Sequence, residues 1–304
     1  MKLFTFVLLF QLQIILIAAS ISTQCAAILD RVDCSSGVGS QHQIQKLTPE
    51  QCVSRGCCYI EGKEGDSSPK CFYPSEGQPI KTIHMINSNH FDAGYANVTA
   101  DVINLYFDTY FQRAADVGAQ LRSPIHAGKK GSGPLKWMTF SWLISLFFDC
   151  PPNMGIHCPT KESIQNITNA IAAHDIVWPA FPHNAELATG DQSMLTFGVE
   201  LSNRLATRFN ASKPSVLSTR DVPGMPRASI KILKNAGVTA LSEGMNGRMV
   251  PVNVPPSFVW RSEDGKTDMP VLWHWHGYGQ LGEPGNPIRI PGTSHALCYC
   301  WRGD

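Results

Sequence analysis

The stretch Ile80-Lys-Thr-Ile-His-Met-Ile-Asn-Ser-Asn-His-Phe-Asp-Ala-Gly-Tyr95 determines the fold expected for the larger part of the chain. Its apolar beginning, Ile80–Ile86, predicts a strand, and polar and aromatic side chains follow. On extended backbone His90 and Asp92 project to one side while Phe91 points away. An imidazole and a carboxylate at one strand end suit zinc, and a hydrogen-bonded surface pair is the alternative.

Strand-like and helix-like segments alternate through the rest of the chain. Short apolar runs predict further strands at Trp137–Phe140, Ile176–Phe181, Ser215–Thr219, Val238–Leu241 and Met269–Trp275. Periodic stretches predict amphipathic helices at Val98–Val117, Thr160–His174, Asp191–Phe209 and Met225–Asn235. We therefore predict an α/β fold with a parallel sheet or barrel, whose ligand site lies at the carboxyl ends of the strands.

The composition of the 304 residues narrows the possible partners. With 25 basic and 24 acidic side chains the formal charge is +1, and 43% of the residues are hydrophobic, as in an ordinary globular protein. The basic pair Lys129-Lys130 is too short to form a basic patch. We therefore expect no nucleic-acid partner.

The apolar N-terminal segment, residues 1–22, predicts a secretory signal peptide, with an N-terminal membrane anchor as the alternative. Both lead the chain into an oxidising compartment, where paired cysteines form disulfides. Acceptor motifs for N-glycosylation agree with this route and lie at Asn97, Asn166 and Asn210. We expect a secreted or extracellular protein, or one elsewhere in the secretory pathway such as the lysosome, without membrane contact after signal cleavage.

Six of the ten cysteines fall between Cys25 and Cys71, in a segment too short to be stable through a hydrophobic core alone. Their spacing alone does not choose among the possible disulfide pairings. The motifs Arg31-Val-Asp-Cys34, Gly56-Cys57-Cys58-Tyr59 and Lys70-Cys71-Phe72 resemble the P-type, or trefoil, domain over residues 25–74.

This resemblance implies three bridges, Cys25–Cys58, Cys34–Cys57 and Cys52–Cys71. It also implies a small lectin-like or mucin-associated unit, and a purely structural N-terminal cap is the alternative. The stretch from Cys34 to Cys52 is longer than in the family and has Ser35-Ser36 where a Gly usually follows the cysteine. A fourth, local disulfide is expected between Cys150 and Cys158.

The motif His90-Phe-Asp92-Ala-Gly94-Tyr95 resembles the His-x-Asp-x-Gly-Trp motif of glycoside hydrolase family 38, the α-mannosidases. Helix-then-strand Ile167–Val177 resembles the family segment that leads to the nucleophile. Arg220-Asp221-Val-Pro-Gly224-Met225-Pro226 resembles the Asp-Pro-Phe-Gly-His element, and Trp260-Arg261-Ser-Glu-Asp264-Gly265 resembles the Trp-Arg-Gly-x-Asp-Gly turn. The resemblance extends over most of residues 80–280.

The family resemblance implies zinc as the cofactor, held by His90 and Asp92, and sugar contacts from Tyr95. It also implies an aspartate nucleophile and a second carboxyl group as general acid and base, as a retaining glycosidase requires. Ala185 stands where the nucleophile is expected, and Glu186 is the nearest carboxylate. We predict Glu186 and Asp221 as catalytic carboxyl groups. In the family a further zinc-binding His and the acid/base come from regions far downstream, so an incomplete or impaired domain is expected here.

The segment Val271-Leu-Trp-His-Trp-His-Gly-Tyr-Gly279 places two histidines on one strand face and two tryptophans on the other. His274 and His276 could complete a metal site, and Trp273 or Trp275 could stack on a sugar. Tryptophans in the core and hydrogen-bonded histidines are the alternative. The Gly- and Pro-rich residues 281–304 predict an irregular tail.

Together these features predict a small disulfide-rich trefoil module followed by an incomplete, parallel α/β barrel-like glycosidase domain. The predicted function is that of a secreted carbohydrate-active protein that resembles a zinc-dependent α-mannosidase. It is expected to be truncated or catalytically impaired and to have carbohydrate or glycoprotein glycans as partners. A non-catalytic trefoil glycan-binding or mucosal protein is the alternative.

Overall fold

The computed structural model describes residues 25, 28–35, 47–62, 66–89, 91–95, 97–124, 134–222, 225–244, 246, 252–274 and 288–302. Four features predicted from the sequence lie outside these residues: the signal peptide at residues 1–22, His90, Trp275 and His276. In the part of the chain that is described, no helix combines the length and apolar character needed to cross a membrane.

The predicted strands and helices occur in the predicted order, and the structure contains further elements that the sequence did not predict. The strands are β1 (Arg31–Asp33), β2 (Cys58–Tyr59), β3 (Cys71–Glu76), β4 (Thr82–Asn89), β5 (Trp137–Met138), β6 (Ile176–Val177), β7 (Val216–Arg220), β8 (Ala240–Gly244), β9 (Ser257–Arg261), β10 (Asp268–His274), β11 (Ile288–Arg289) and β12 (His295–Arg302). The α-helices are α1 (Pro49–Ser54), α2 (Thr99–Leu105), α3 (Phe111–Arg122), α4 (Ser141–Asp149), α5 (Lys161–Ala172), α6 (Gln192–Arg208) and α7 (Ser229–Asn235). A π-helical turn, Tyr106–Tyr110, joins α2 to α3, and a 3-10 turn, Leu187–Thr189, precedes α6.

Residues 25–74 form the disulfide-rich module. Three strands in the order β1-β3-β2 pack beside α1, whose first turn is closed by a reciprocal capping box between Thr48 and Gln51. The bridges are Cys25–Cys58, Cys34–Cys57 and Cys52–Cys71, the pairing that the trefoil resemblance implies. The half-cystines themselves form most of the buried centre, so the cross-links replace a large apolar core.

The larger domain contains two sheets of mainly parallel strands. One has the order β11-β12-β4-β5-β6, the other β7-β8-β10-β9. Neighbours among β12, β4, β5 and β6 are parallel, as are those among β7, β8 and β10. Between the sheets, the Ala180 N–H donates to the Val216 carbonyl at 2.8 Å on one side. On the other side, the rings of His274 and Tyr299 are 4.7 Å apart. The strands therefore form a barrel-like α/β domain.

Two apolar clusters hold helices against these strands. The first joins α2 to α5 with β6 and has Ile103, Phe111, Phe147 and Ile171 among its fully buried members. The second joins α6 and α7 with β7, β8 and β10, through side chains such as Val199, Ile230 and Leu217. Since burial of one such side chain contributes about 1.5–3 kcal/mol, these clusters fix the strand ends that carry the polar residues described below.

The structure corrects the prediction of an irregular tail. Within residues 281–304, β11 and β12 are strands, and β12 pairs in parallel with β4 from His295↔Thr82 to Arg302↔Asn89. Ala296, Leu297, Cys298 and Tyr299 are all buried, so both faces of this strand are covered. Such a strand shows no polar alternation, and the Gly and Pro residues before it suggested a loop.

The trefoil module contacts the edge strands of both sheets. The Tyr73 hydroxyl accepts a hydrogen bond from Ser257 N at 3.0 Å and donates one to Ser257 O at 3.1 Å. Ser257 is the first residue of β9. Asp30 and Arg289, in β11, form a two-pronged ion pair with both N–O distances at 2.6 Å. A further hydrogen bond of 2.6 Å joins Arg55 Nε to Asn253 Oδ1. The module therefore bridges β9 and β11.

Candidate functional site

A cleft opens where β4, β5 and β6 end. It has a volume of about 490 Å³, and its walls include Phe91, Phe140, Trp142, Pro182, His183 and Asn184. These residues follow the carboxyl ends of three parallel strands, because β4 ends at Asn89, β5 at Met138 and β6 at Val177. The cleft therefore lies at the strand edge where α/β folds bind ligands.

Aromatic rings form one wall of this cleft. The Phe91 and Trp142 ring centroids are 5.8 Å apart, and the Trp142 and His183 rings meet edge to face at 6.5 Å. Trp142 lies in the first turn of α4, where its backbone N–H donates to the Pro182 carbonyl at 3.1 Å. The indole is half-buried, so part of its surface remains open to a ligand. Sequence analysis missed Trp142, although an aromatic residue directly after a predicted strand is a usable signal.

Asn184 connects the cleft to the end of β7. Its side-chain oxygen accepts a hydrogen bond from the Arg220 backbone N–H at 3.0 Å, and its carbonyl oxygen accepts one from His183 Nδ1 at 2.7 Å. Asn184 and His183 thereby take fixed positions beside the aromatic wall.

Arg220 ties together the ends of β7, β8 and β10. Its Nη1 donates to the Thr219 and Ser242 carbonyls, each at 2.5 Å. Its Nη2 donates to Ser242 Oγ at 2.8 Å and to His274 Nε2 at 2.8 Å. The guanidinium also lies 4.6 Å from the centre of the Tyr299 ring. Arg220 as a residue is only 6% exposed, and its hydrogen bonds join three strand ends into one polar layer below the cleft.

His274 belongs to this layer as a neutral imidazole. Burial, and then the nearby Arg220 charge, hold the pKa of His274 well below its usual range. Because Arg220 donates to Nε2, the ring proton is assigned to Nδ1. Ser242 Oγ also lies 3.2 Å from Nε2. His274 was expected to complete a metal site, but its Nε2 atom already accepts the hydrogen bond from Arg220.

Glu243 is a buried acid that sequence analysis missed. It is in register with Thr219 on one side and with Trp273 on the other, and Thr219 Oγ1 donates to its Oε2 at 2.5 Å. Burial raises the pKa of the Glu243 carboxyl, although the Thr219 hydrogen bond and the Arg220 charge oppose the shift. Side chains alternate between the two faces of a strand, so Glu243 lies on the face opposite Ser242. Arg220 is in register with Gly244, on the same face as Ser242. Glu243 therefore does not belong to the polar layer.

The predicted catalytic carboxyl groups have separate local environments. Asp221 follows β7 with a positive φ of 70°, donates its backbone N–H to Gly244 O at 2.9 Å and accepts a 2.6 Å hydrogen bond from Asn246. Glu186 is half-buried before the 3-10 turn, and its carbonyl accepts from Thr189. Asp191 caps α6 by accepting from the Met194 N–H at 2.8 Å.

The zinc pair His90 and Asp92 stays a prediction, because His90 lies outside the described residues. β4 ends at Asn89, so the strand alternation expected to align His90 with the half-buried Asp92 does not reach Asp92. Among the described His, Cys, Asp and Glu side chains, the group of three that approaches metal-binding distances is Cys34, Cys57 and Cys71. Their sulfurs are in disulfides and offer no thiolate. This group of three cysteines is therefore not a metal site.

The remaining predicted binding residues differ in exposure. The Tyr95 side chain is 87% exposed and thus accessible. Trp273 is only 5% exposed and shares its strand face with the core residues Met269 and Val271, so its ring offers no face to a sugar. Trp273 thus lies in the core, as the alternative interpretation of the sequence states.

The structure describes all three predicted glycosylation sites and the predicted local disulfide. Asn97 and Asn210 are exposed, whereas Asn166 is half-buried within α5 and donates to Gln112 Oε1 at 3.2 Å. The Cys150–Cys158 bridge is present and closes the loop after α4.

Comparison with known proteins identifies the small module and the fold of the larger domain. The family model of the trefoil (P-type) domain matches residues 25–74. A search of curated protein sequences finds no match. Among solved structures, an α-mannosidase from Enterococcus faecalis V583 superposes with a TM-score of 0.54 at 11% identity, covering 74% of this chain and 25% of that chain. At this identity the similarity establishes the fold.

Two further solved structures have lower scores. A protein in glycosyl hydrolase family 38 from Enterococcus faecalis gives a TM-score of 0.42 at 10% identity, covering 74% of this chain and 24% of that one. A 4-α-glucanotransferase from Thermococcus litoralis gives 0.38 at 10% identity, covering 63% and 27%. The chain thus spans about a quarter of the length of the structures that it matches.

Proposed function

We propose that this chain is a secreted carbohydrate-active protein that binds glycans in the cleft beside Trp142. The observation that carries the proposal is an aromatic-walled cleft of about 490 Å³ at the carboxyl edge of the strands. The fold around it is similar to that of an α-mannosidase. The disulfide-rich trefoil domain and the predicted signal peptide support the secretory part of the proposal.

The cleft has the chemistry that neutral sugars require. The apolar face of a pyranose ring packs on an aromatic side chain, and Trp142 offers a partly open indole whose orientation is held by its contacts with Phe91 and His183. Hydroxyl groups need donors and acceptors at the ring edge, and His183 and Asn184 provide them. The volume is within the range of small-molecule pockets, so one or two sugar residues are the proposed occupants.

Calorimetric titration with mannose oligosaccharides and a panel of other neutral glycans tests this proposal. Replacement of Trp142 with Leu removes the aromatic face while keeping an apolar group, and should weaken binding about two- to tenfold. Trp142→Phe should retain most of the affinity. Trp260→Leu, the same change at a half-buried tryptophan on β9, is the matched control. Equal affinity in Trp142→Leu and the parent, or no binding of any glycan, would contradict the proposal.

We also propose that this chain hydrolyses glycosides weakly or not at all. A retaining glycosidase needs a nucleophile and a proton donor that act together, and losing one of them removes most of the rate. Ala185 stands at the expected nucleophile position. Its methyl group packs against the second apolar cluster, which contains α6 and α7, and it cannot attack a sugar. Asp221 is the better supported of the two candidate carboxyl groups, because Asn246 orients it through a hydrogen bond. A non-catalytic glycan-binding protein remains the alternative.

A further inference from the structure

His84 and His295 form a cross-strand pair far from the cleft. His295 is the first residue of β12 and His84 the third of β4, and both side chains are exposed. His84 Nε2 lies 2.9 Å from His295 Nδ1, and the two rings are stacked with an interplanar angle of 19°. Five residues of β4 separate His84 from the carboxyl end at Asn89, which corresponds to about 16 Å along the strand.

The backbone holds this pair in place. The Lys81 N–H donates to Ser294 O at 2.8 Å, directly before the two strands join. The His295 N–H donates to Thr293 Oγ1 at 3.2 Å, and its carbonyl accepts from the Ile290 N–H at 3.0 Å. The eight-residue parallel ladder between β4 and β12 then continues from this point. The backbone of both residues is therefore fixed before any ligand binds, and the hydrogen bond between the two rings already brings the imidazoles together.

We propose that His84 and His295 together form a binding site for a divalent transition-metal ion, with Cu²⁺ favoured over Ni²⁺ and Zn²⁺. An imidazole nitrogen binds such an ion at about 2.0–2.1 Å. Two nitrogens 2.9 Å apart at that bond length subtend about 90° at the metal, which is the angle between neighbouring positions of square-planar or octahedral coordination. The ion would replace the N–H···N hydrogen bond between the two rings: the donor ring moves its proton to its other nitrogen, and both side chains turn their free lone pairs to the ion. Tetragonal coordination by nitrogen and oxygen is characteristic of Cu²⁺ and Ni²⁺, and Cu²⁺ binds most tightly in this series.

Other features of the pair agree with metal binding. Both rings are exposed, so an ion can enter and water can fill its remaining positions. The two ligands come from neighbouring strands of one sheet that are far apart in the sequence, so a bound ion would join β4 to β12 and stabilise their pairing. This site is independent of the cleft and of the proposed glycan binding.

The test uses the full chain and measures Cu²⁺ binding by calorimetry and electron paramagnetic resonance. We expect one tight ion for each chain, with the spectral splitting of two nitrogen ligands. His84→Gln or His295→Gln alone should weaken binding about tenfold or more, because the second ligand is held at high effective concentration. The double variant should be little weaker than either single one. His157→Gln, at an exposed histidine paired with Asp108, is the matched control and should bind as the parent does.

Two results would overturn this assignment. One is an unchanged affinity in both single variants, and the other is loss of the tight ion in His157→Gln. If a variant does not fold, chemical modification of the histidines in the unaltered chain decides the question. Cu²⁺ should protect His84 and His295 together from diethylpyrocarbonate, and protection of neither would reject the site.

Discussion

Replacing Tyr73 with Phe is expected to destabilise the whole chain through one lost hydroxyl group. This hydroxyl accepts from Ser257 N and donates to Ser257 O, whereas the phenyl ring can keep its packing in the trefoil module. A hydrogen bond contributes about 1 kcal/mol net, and the part-buried Ser257 N–H would lose its acceptor. The free energy of unfolding should therefore fall by about 1–3 kcal/mol.

Urea unfolding followed by far-ultraviolet circular dichroism measures this effect. The helical signal comes mainly from the larger domain, because α1 is the one helix of the trefoil module described between Leu47 and Glu76. A lower midpoint in that signal therefore reports loss of support from the docked module. Tyr59→Phe is the matched control, because the Tyr59 hydroxyl bonds to the exposed Glu61 and its loss should leave the midpoint nearly unchanged. Equal midpoints for the two variants would refute the view that docking supports the larger domain.

Three further changes test the ion pair, the buried acid and the proposed lack of catalysis. Arg289→Gln should cost about 1 kcal/mol or less at pH 7, because the pair with Asp30 is partly exposed. The Arg289 hydrogen bond lowers the pKa of Asp30, so this loss should shrink as the pH falls through that lowered pKa, as measured by urea midpoints at several pH values. Glu243→Gln should be more stable than the parent at pH 7 and lose this advantage near pH 4, because burial raises the pKa of Glu243 and the charged form opposes folding. A larger advantage at pH 4 would contradict that sign. An aryl α-mannoside assay with added zinc should detect little or no turnover, and turnover that disappears in Glu186→Gln would show that Glu186 replaces the nucleophile missing at Ala185.

Helices with strong local signals were predicted nearly to the residue. Thr160 and Asp191 were predicted to begin helices, and each lies at the N-cap and accepts a hydrogen bond from the backbone N–H three residues later. Apolar residues at helical spacing then continue to Ala172 and Arg208. These features are local, so a single sequence contains them in full.

The missed elements depend on contacts that are distant in the sequence. The segment that forms α4 is apolar almost all round, and its helical period is therefore weak. The predicted helix Val98–Val117 is interrupted by the π-turn at Tyr106–Tyr110, where these two rings meet edge to face and the Tyr106 hydroxyl accepts a hydrogen bond from Asn89 of β4 at 3.0 Å. The strand β12 lies inside its sheet because it pairs with β4, more than two hundred positions earlier in the chain, and a single sequence does not show this pairing.

The polar layer below the cleft shows the same limit at the level of the site. Arg220, Ser242 and His274 have no common motif, and they meet because β7, β8 and β10 are parallel neighbours in a fixed register. Sequence motifs directed attention to Asp221 as a catalytic group and to His274 as a metal ligand, whereas the register brings the Arg220 guanidinium onto His274 Nε2.

The position of the trefoil module connects its disulfides to the larger domain. β9 and β11 are the edge strands of the two sheets, and a sheet edge leaves backbone hydrogen-bonding groups without a strand partner. The module bonds to the backbone of Ser257 at one edge and to the side chain of Arg289 at the other. Because its own stability comes from three disulfides, it can hold both edges without a large core. These contacts favour a structural role for the module, and the cleft beside Trp142 is the proposed site of glycan binding.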